Sequence, residues 1–123
     1  MALHQTLAIY RSCCDLLGDA LVVVMQMRRD VKHALGNKII DACIELDLHV
    51  RAANIAHDKE PHLLHLLERL EVIELVLRLC RDRRWIAPGQ YARLVDHTQS
   101  IGRQANGWRK AGAGAVTQPG LFA

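Results

Sequence analysis

With 123 residues, half of them hydrophobic and only 4% aromatic, the chain is long enough for one core and too short for two. Its longest strongly apolar run, residues 20–25, falls far short of the roughly 20 residues needed to cross a bilayer, and its first residues lack the basic start and apolar stretch of a secretory signal, so no membrane association and a cytoplasmic location are expected. A formal net charge of only +3 excludes a uniformly basic protein, but that charge is unevenly placed.

Apolar side chains recur at steps of three and four residues, the spacing of one helix face, and no alternating strand pattern of useful length competes. Leu3, Leu7, Tyr10, Cys14, Leu17, Leu21 and Val24 predict a first helix over about residues 3–28. Leu35, Ile39, Ala42, Leu46, Val50 and Ala53 predict a second over about 31–57. The joint Arg28-Arg29-Asp30 carries no proline; a tight turn is expected there, because one 55-residue helix could not bury its own stripe in so small a domain.

Pro61 suits the first turn of a third helix, where its missing N–H costs little, and Leu63, Leu66, Leu70, Ile73, Leu77 and Cys80 carry that helix to about Arg83. Ala87-Pro88-Gly89 then resets the backbone. Tyr91, Leu94, Thr98, Ile101, Ala105 and Trp108 define a fourth helix to about Lys110, within which Gly102 and Gly107 suggest close backbone approach or, for Gly107, termination. Residues 111–123, uncharged and aperiodic, read as a flexible tail behind a 1–110 domain. The expected fold is all-α, an antiparallel up-down four-helix bundle.

Helix three is apolar beyond its stripe, at Leu64, Val72, Leu75, Val76 and Leu79. Helix one repeats this at Ile9, Leu16, Val22, Val23, Met25 and Met27. One small bundle has too little interior for both sets, which points to a homo-oligomer with the helix-three residues at its interface.

No constellation for catalysis emerges. The four cysteines show neither a C-x-x-C knuckle nor a disulfide framework, and Cys14 and Cys80 fall on apolar stripes where a thiol acts as a small hydrophobe. His62-x-x-His65-x-x-Glu68 and Asp30-x-x-His33 are fragments of metal-ligand spacing, without the Glu-x-x-His pairs of a di-metal bundle. Ser100 and His97 are an ordinary helix pair from which Asp96 points away, and Gly112-Ala113-Gly114 lacks the strand and helix of a phosphate loop. The expectation is a protein that is not an enzyme and has no cofactor or metal.

Charge is more informative. From Arg78 to Lys110 the chain is net +6, through Arg78, Arg81, Arg83, Arg84, Arg93, Arg103, Arg109 and Lys110, while residues 1–77 are net −3. Clustered guanidinium groups suit phosphate oxygens and gain affinity by releasing counterions from a nucleic-acid backbone, so these eight are the candidate nucleic-acid-binding residues. Helix-end cations are also favoured by the helix dipole, and antiparallel neighbours would place the two clusters at opposite poles unless Arg93 and Arg103 join them.

Two stretches of the fourth helix are distinctive: Ala87-Pro88-Gly89-Gln90-Tyr91-Ala92-Arg93-Leu94, and Ile101-Gly102-Arg103-Gln104-Ala105-Asn106-Gly107-Trp108. With residues 35–56 and 66–81, they resemble the accessory variability determinant (Avd) proteins of diversity-generating retroelements. That family lies within a wider four-helix-bundle group that includes proteins encoded in intervening sequences of bacterial 23S ribosomal RNA genes.

The resemblance spans about residues 3–110 and implies a barrel-like homopentamer. Such a protein binds RNA or DNA and a reverse transcriptase, and supports mutagenic copying of a variable repeat without chemistry of its own. Arg78, Arg93 and Arg103 fall where relatives tend to be basic; Glu74 departs, placing an acid on a helix that relatives often make basic. The alternative is a bundle scaffold related to the intervening-sequence proteins, without a retroelement role.

Overall fold

A computed structural model describes the backbone of residues 2–120 and the side chains of residues 6–112. Among the described residues all regular structure is helical: α1 (Ala2–Met25), α2 (29–55), α3 (Glu60–Asp82) and α4 (Pro88–Gly120). Each helix packs on two neighbours, α1 on α2 and α4, and α3 on α2 and α4, which closes an antiparallel ring around one core. No helix is long and apolar enough to cross a membrane among the described residues.

The breakers act where the sequence places them. After α1, the amides of Gln26 and Met27 donate to the carbonyls of Val23 and Val24 at 3.1 Å, and Arg28 is extended (φ −55°, ψ 148°), so the first joint is a turn. α2 opens with a turn of α-helix (Arg29–Val31) and a π-helical turn (Lys32–Gly36) before continuing as α-helix from Asn37 to Ile55. The π turn brings Gly36 against α1: a Cβ there would lie 2.7 Å from Cγ1 of Val24. Close approach occurs at this glycine; a Cβ on Gly102 would meet only an ordinary contact at 3.8 Å, one on Gly107 would meet nothing, and α4 runs past both.

α3 ends in a Schellman motif. The Trp85 amide donates to the Cys80 carbonyl (2.8 Å) and the Arg84 amide to that of Arg81 (3.0 Å), with Arg84 in the left-handed region at φ 59°. No such cap stops α4, whose backbone stays helical to Gly120, so no break in secondary structure marks residue 110; residues 121–123 lie outside the described residues.

The α3 stripe is buried in full, as are Ile39, Ala42, Leu46, Val50 and Ala53 of α2 and Leu94, Thr98, Ile101, Ala105 and Trp108 of α4. α1 departs from expectation. Its core face is Ile9, Cys13, Leu16, Ala20 and Val23, continued by Met27 in the turn that follows; of the predicted stripe Val24 is buried and Leu17 half-buried against the core, whereas Leu7, Tyr10, Cys14 and Leu21 are exposed and the Leu3 side chain lies outside the described residues. The two stripes are one residue out of phase, about 100° of rotation. Polar contacts select between them: in the observed orientation Ser12 accepts from Gln104 (2.8 Å) and Asp19 reaches both Arg93 (3.0 Å) and His97 (2.6 Å) on α4. A turn of 100° would strand these groups.

The cysteine assignment changes accordingly. Cys13 is buried and Cys14 exposed, and all four thiols are free. Burial, with Asp47 nearby, pushes Cys13 up to about 12; burial alone takes Cys43 to about 12 and raises Cys80.

Candidate nucleic-acid interface

The up-down path brings the α1–α2 and α3–α4 connections to one pole, and the α2–α3 connection with the end of the side-chain-described part of α4 to the other. At the first pole Gln90 Nε2 donates to Gln26 Oε1 (2.8 Å) while Gln90 Oε1 accepts from the Ala87 amide (2.8 Å), so one side chain ties both connections. At the second, Lys59 Nζ donates to the carbonyls of Ala53 (2.9 Å) and Ala56 (3.0 Å), capping α2, and Trp108 is buried nearby. Between Arg84 and Lys110 lie about 22 residues of α4, or about 33 Å of helix. The two basic clusters are therefore separate.

The eight candidate cations sort by pairing. Three are held within the protein. Arg93 donates to Asp19, which also meets His97; these hydrogen bonds, that of His97 foremost, lower the Asp19 carboxyl below its ordinary value. Arg109 spans α4 to α3, donating to both Glu60 oxygens (3.1 and 2.8 Å) and to Asn106 Oδ1 (3.1 Å), which lowers Glu60. Arg81 pairs with Asp82 (2.9 Å) and lies 4.5 Å from the Tyr91 ring centroid. Arg109, with all three nitrogens engaged, has little left for a phosphate, whereas Arg93 spends only its Nε and remains largely exposed.

Arg78, Arg83, Arg84, Arg103 and Lys110 are exposed and form no ion pair among the described residues. Arg78 shares a shallow hollow with Glu68, Glu71 and Glu74, so its field is offset. Glu74 itself is structural, accepting from the buried Thr98 hydroxyl at 2.7 Å. Arg103 and Lys110 border a second hollow with Gln99, Gly102, Asn106 and Gly107 on the outward face of α4. Arg93, bound at the α1 seam, does not link them to the first pole.

Sequence reasoning missed two cations, Arg28 and Arg29, which share the first pole with Arg83 and Arg84. The signal was available, since an up-down bundle must bring its first and third connections together. Arg28 is chelated by Asp30 (3.1 and 2.6 Å), and that contact holds the Asp30 carboxyl at about 2. Arg29 is exposed.

The apolar candidates also find places. Leu64, Val72, Leu75 and Leu79 are exposed on α3, Leu75 at 61%, whereas Val76 is half-buried against the core. Exposed large hydrophobics continue on α1 (Leu7, Tyr10, Leu21, Val22, Met25) and α2 (Ile44, Leu48, Ile55); α4 contributes none among the described residues.

The histidine fragments do not converge. His65 lies beside His49, ring centroids 5.7 Å apart, and no group of three or more His, Cys, Asp or Glu is placed to hold a metal among the described residues. Ser100 accepts from Gln104 (3.1 Å), and His97 meets Asp19 rather than Asp96.

Compared with known proteins, residues 7–111 match a family model described as bAvd-like. No curated protein and no solved structure matches the chain significantly.

Proposed function

Because this chain belongs to the bAvd-like family, over a match that takes in all four helices, we propose that it is the accessory protein of a diversity-generating retroelement. In this reading it is a non-catalytic cytoplasmic adaptor that binds the element's reverse transcriptase and its template RNA or cDNA. The family match carries the reading. Two features support it: apolar side chains stand exposed on α1, α2 and α3, and unpaired cations remain at one pole and along α4.

The division suggests how the parts are used. Copies associate through the apolar faces, as a pentamer by analogy with the family, and the polar outer face of α4 stays free. The polymerase then meets an assembled ring whose cations repeat around it.

The test is light scattering on the full chain, followed by RNA binding across a salt titration and copurification with a coexpressed reverse transcriptase from the same locus. A multimeric mass, affinity falling steeply with salt and a stable complex are expected. A monomer that binds neither RNA nor the polymerase refutes the proposal.

A further inference from the structure

We propose that the pole made by the α1–α2 and α3–α4 connections is a binding site for single-stranded nucleic acid, with Arg29, Arg83 and Arg84 on the phosphates and Trp85 against a base. The proposal rests on the nucleic-acid part of the function above and says where, and through which groups, that contact is made.

The backbone at Arg84 is the first observation. Position C′ of a Schellman motif needs positive φ, which glycine adopts without cost and a residue bearing a Cβ does not; Arg84 sits there at φ 59°. A strained position occupied by a bulky residue is expected where the side chain has a role that glycine cannot fill. Within the fold that side chain supports nothing, since it is exposed and forms no ion pair or side-chain hydrogen bond among the described residues. Arg83 and Arg29 share this condition, unlike Arg28 and Arg81, whose charges are held by Asp30 and Asp82.

The second observation is the surface beside Arg84. Arg81, Arg84, Trp85, Ile86, Ala87, Pro88 and Gln90 line a hollow of about 450 Å³. Trp85 is half-buried and packs against the core, so its ring is held in place while still bordering the hollow. Gln90, bonded to both connections, fixes the loop that carries it. An unpaired guanidinium on the rim, that of Arg84, with Arg83 and Arg29 at the same pole, beside a fixed aromatic and an apolar floor makes a stacking platform next to an anion-binding edge. A single strand can turn out a base to use it, whereas a duplex keeps its bases stacked away.

The experiment uses the full chain carrying Trp108→Phe, which leaves Trp85 as the sole tryptophan, and a labelled single-stranded RNA read by anisotropy and by tryptophan quenching. Matched DNA single strand, duplex RNA and polyglutamate are compared. Saturable quenching by single strands is expected, with weaker binding of duplex and none of polyglutamate.

Arg84→Gly should weaken RNA binding by about three- to tenfold and reduce the salt slope by about 0.7, one phosphate contact on a single strand. The same change should leave Tm equal or higher, because glycine fits the cap. Arg109→Gln removes an equal charge at the far pole and should leave affinity within about twofold, since that cation is already neutralised.

Unchanged RNA affinity in Arg84→Gly and in an Arg83→Gln/Arg84→Gly chain, while the parent still binds, overturns this site and leaves the functional reading standing. A parent that binds no RNA overturns both. Polyglutamate competing as well as RNA, without quenching, shows a nonspecific basic surface and likewise overturns the site.

Discussion

Leu16→Ala and Leu7→Ala report directly on the rotation of α1. Leu16 is fully buried, and truncation removes three carbons worth about 0.8 kcal/mol each, plus a cavity term that carries comparable Leu→Ala changes to about 3–5 kcal/mol. Leu7 is 54% exposed, so a little under half of the transfer term applies and no cavity forms, about 1 kcal/mol. The difference, about 2–4 kcal/mol, should separate the two melting temperatures by roughly 6–15 °C in a domain of this size. Urea unfolding at several protein concentrations is the assay, with m checked for constancy. If α1 faces the core with the stripe read from periodicity, the order reverses, and a Leu7 cost equal to or above that of Leu16 in dilute solution refutes the orientation. A Leu7 cost that grows with protein concentration would instead place that residue between copies, because association adds stability by mass action.

Asp19→Asn should lower stability by about 1–2 kcal/mol near pH 7, as two charge-assisted hydrogen bonds to α4 are lost from a partly buried carboxylate. The folded-state pKa of Asp19 lies below its ordinary 3.8, so the unfolded chain takes up the proton first; this contribution is full above about pH 5 and disappears as pH falls through the folded value. Acid titration followed by circular dichroism should therefore show a shallower loss of stability below pH 4 in the variant, and superimposable curves would refute the assignment. Gly36→Ala should destabilise by about 1–2 kcal/mol, overpacking against Val24 outweighing the gain in helix propensity. Val24→Ala in the same chain should recover part of that loss, and strict additivity in chemical denaturation would count against the close contact. Alkylation of the native protein at pH 8 should modify Cys14 alone within minutes, because Cys13, Cys43 and Cys80 are buried thiols with raised pKa values. Mass spectrometry showing rapid modification of a second cysteine would contradict the burial.

The sequence by itself determined the number of helices, their order and the three connections between them, though not the extent of the last, which runs on to Gly120. Pro61 and Pro88 mark two starts through the missing N–H, and the stripe from Leu63 to Cys80 occupies the core residue for residue. Periodicity establishes that a face exists; it leaves open which of two apolar faces turns inward. On α1 both were present, one residue apart, and the choice fell to Ser12 and Asp19, whose partners lie 74 to 92 residues away on α4. The same distance in sequence concealed which arginines are free. Arg93 and Arg109 add to any count of positive charge, yet Asp19 and Glu60 reach them only once the helices pack, while Arg28 and Arg29 join Arg83 and Arg84 only because the chain returns to the same pole. Local spacing is a property of one helix; orientation and charge pairing are properties of several at once, so tertiary structure decided them.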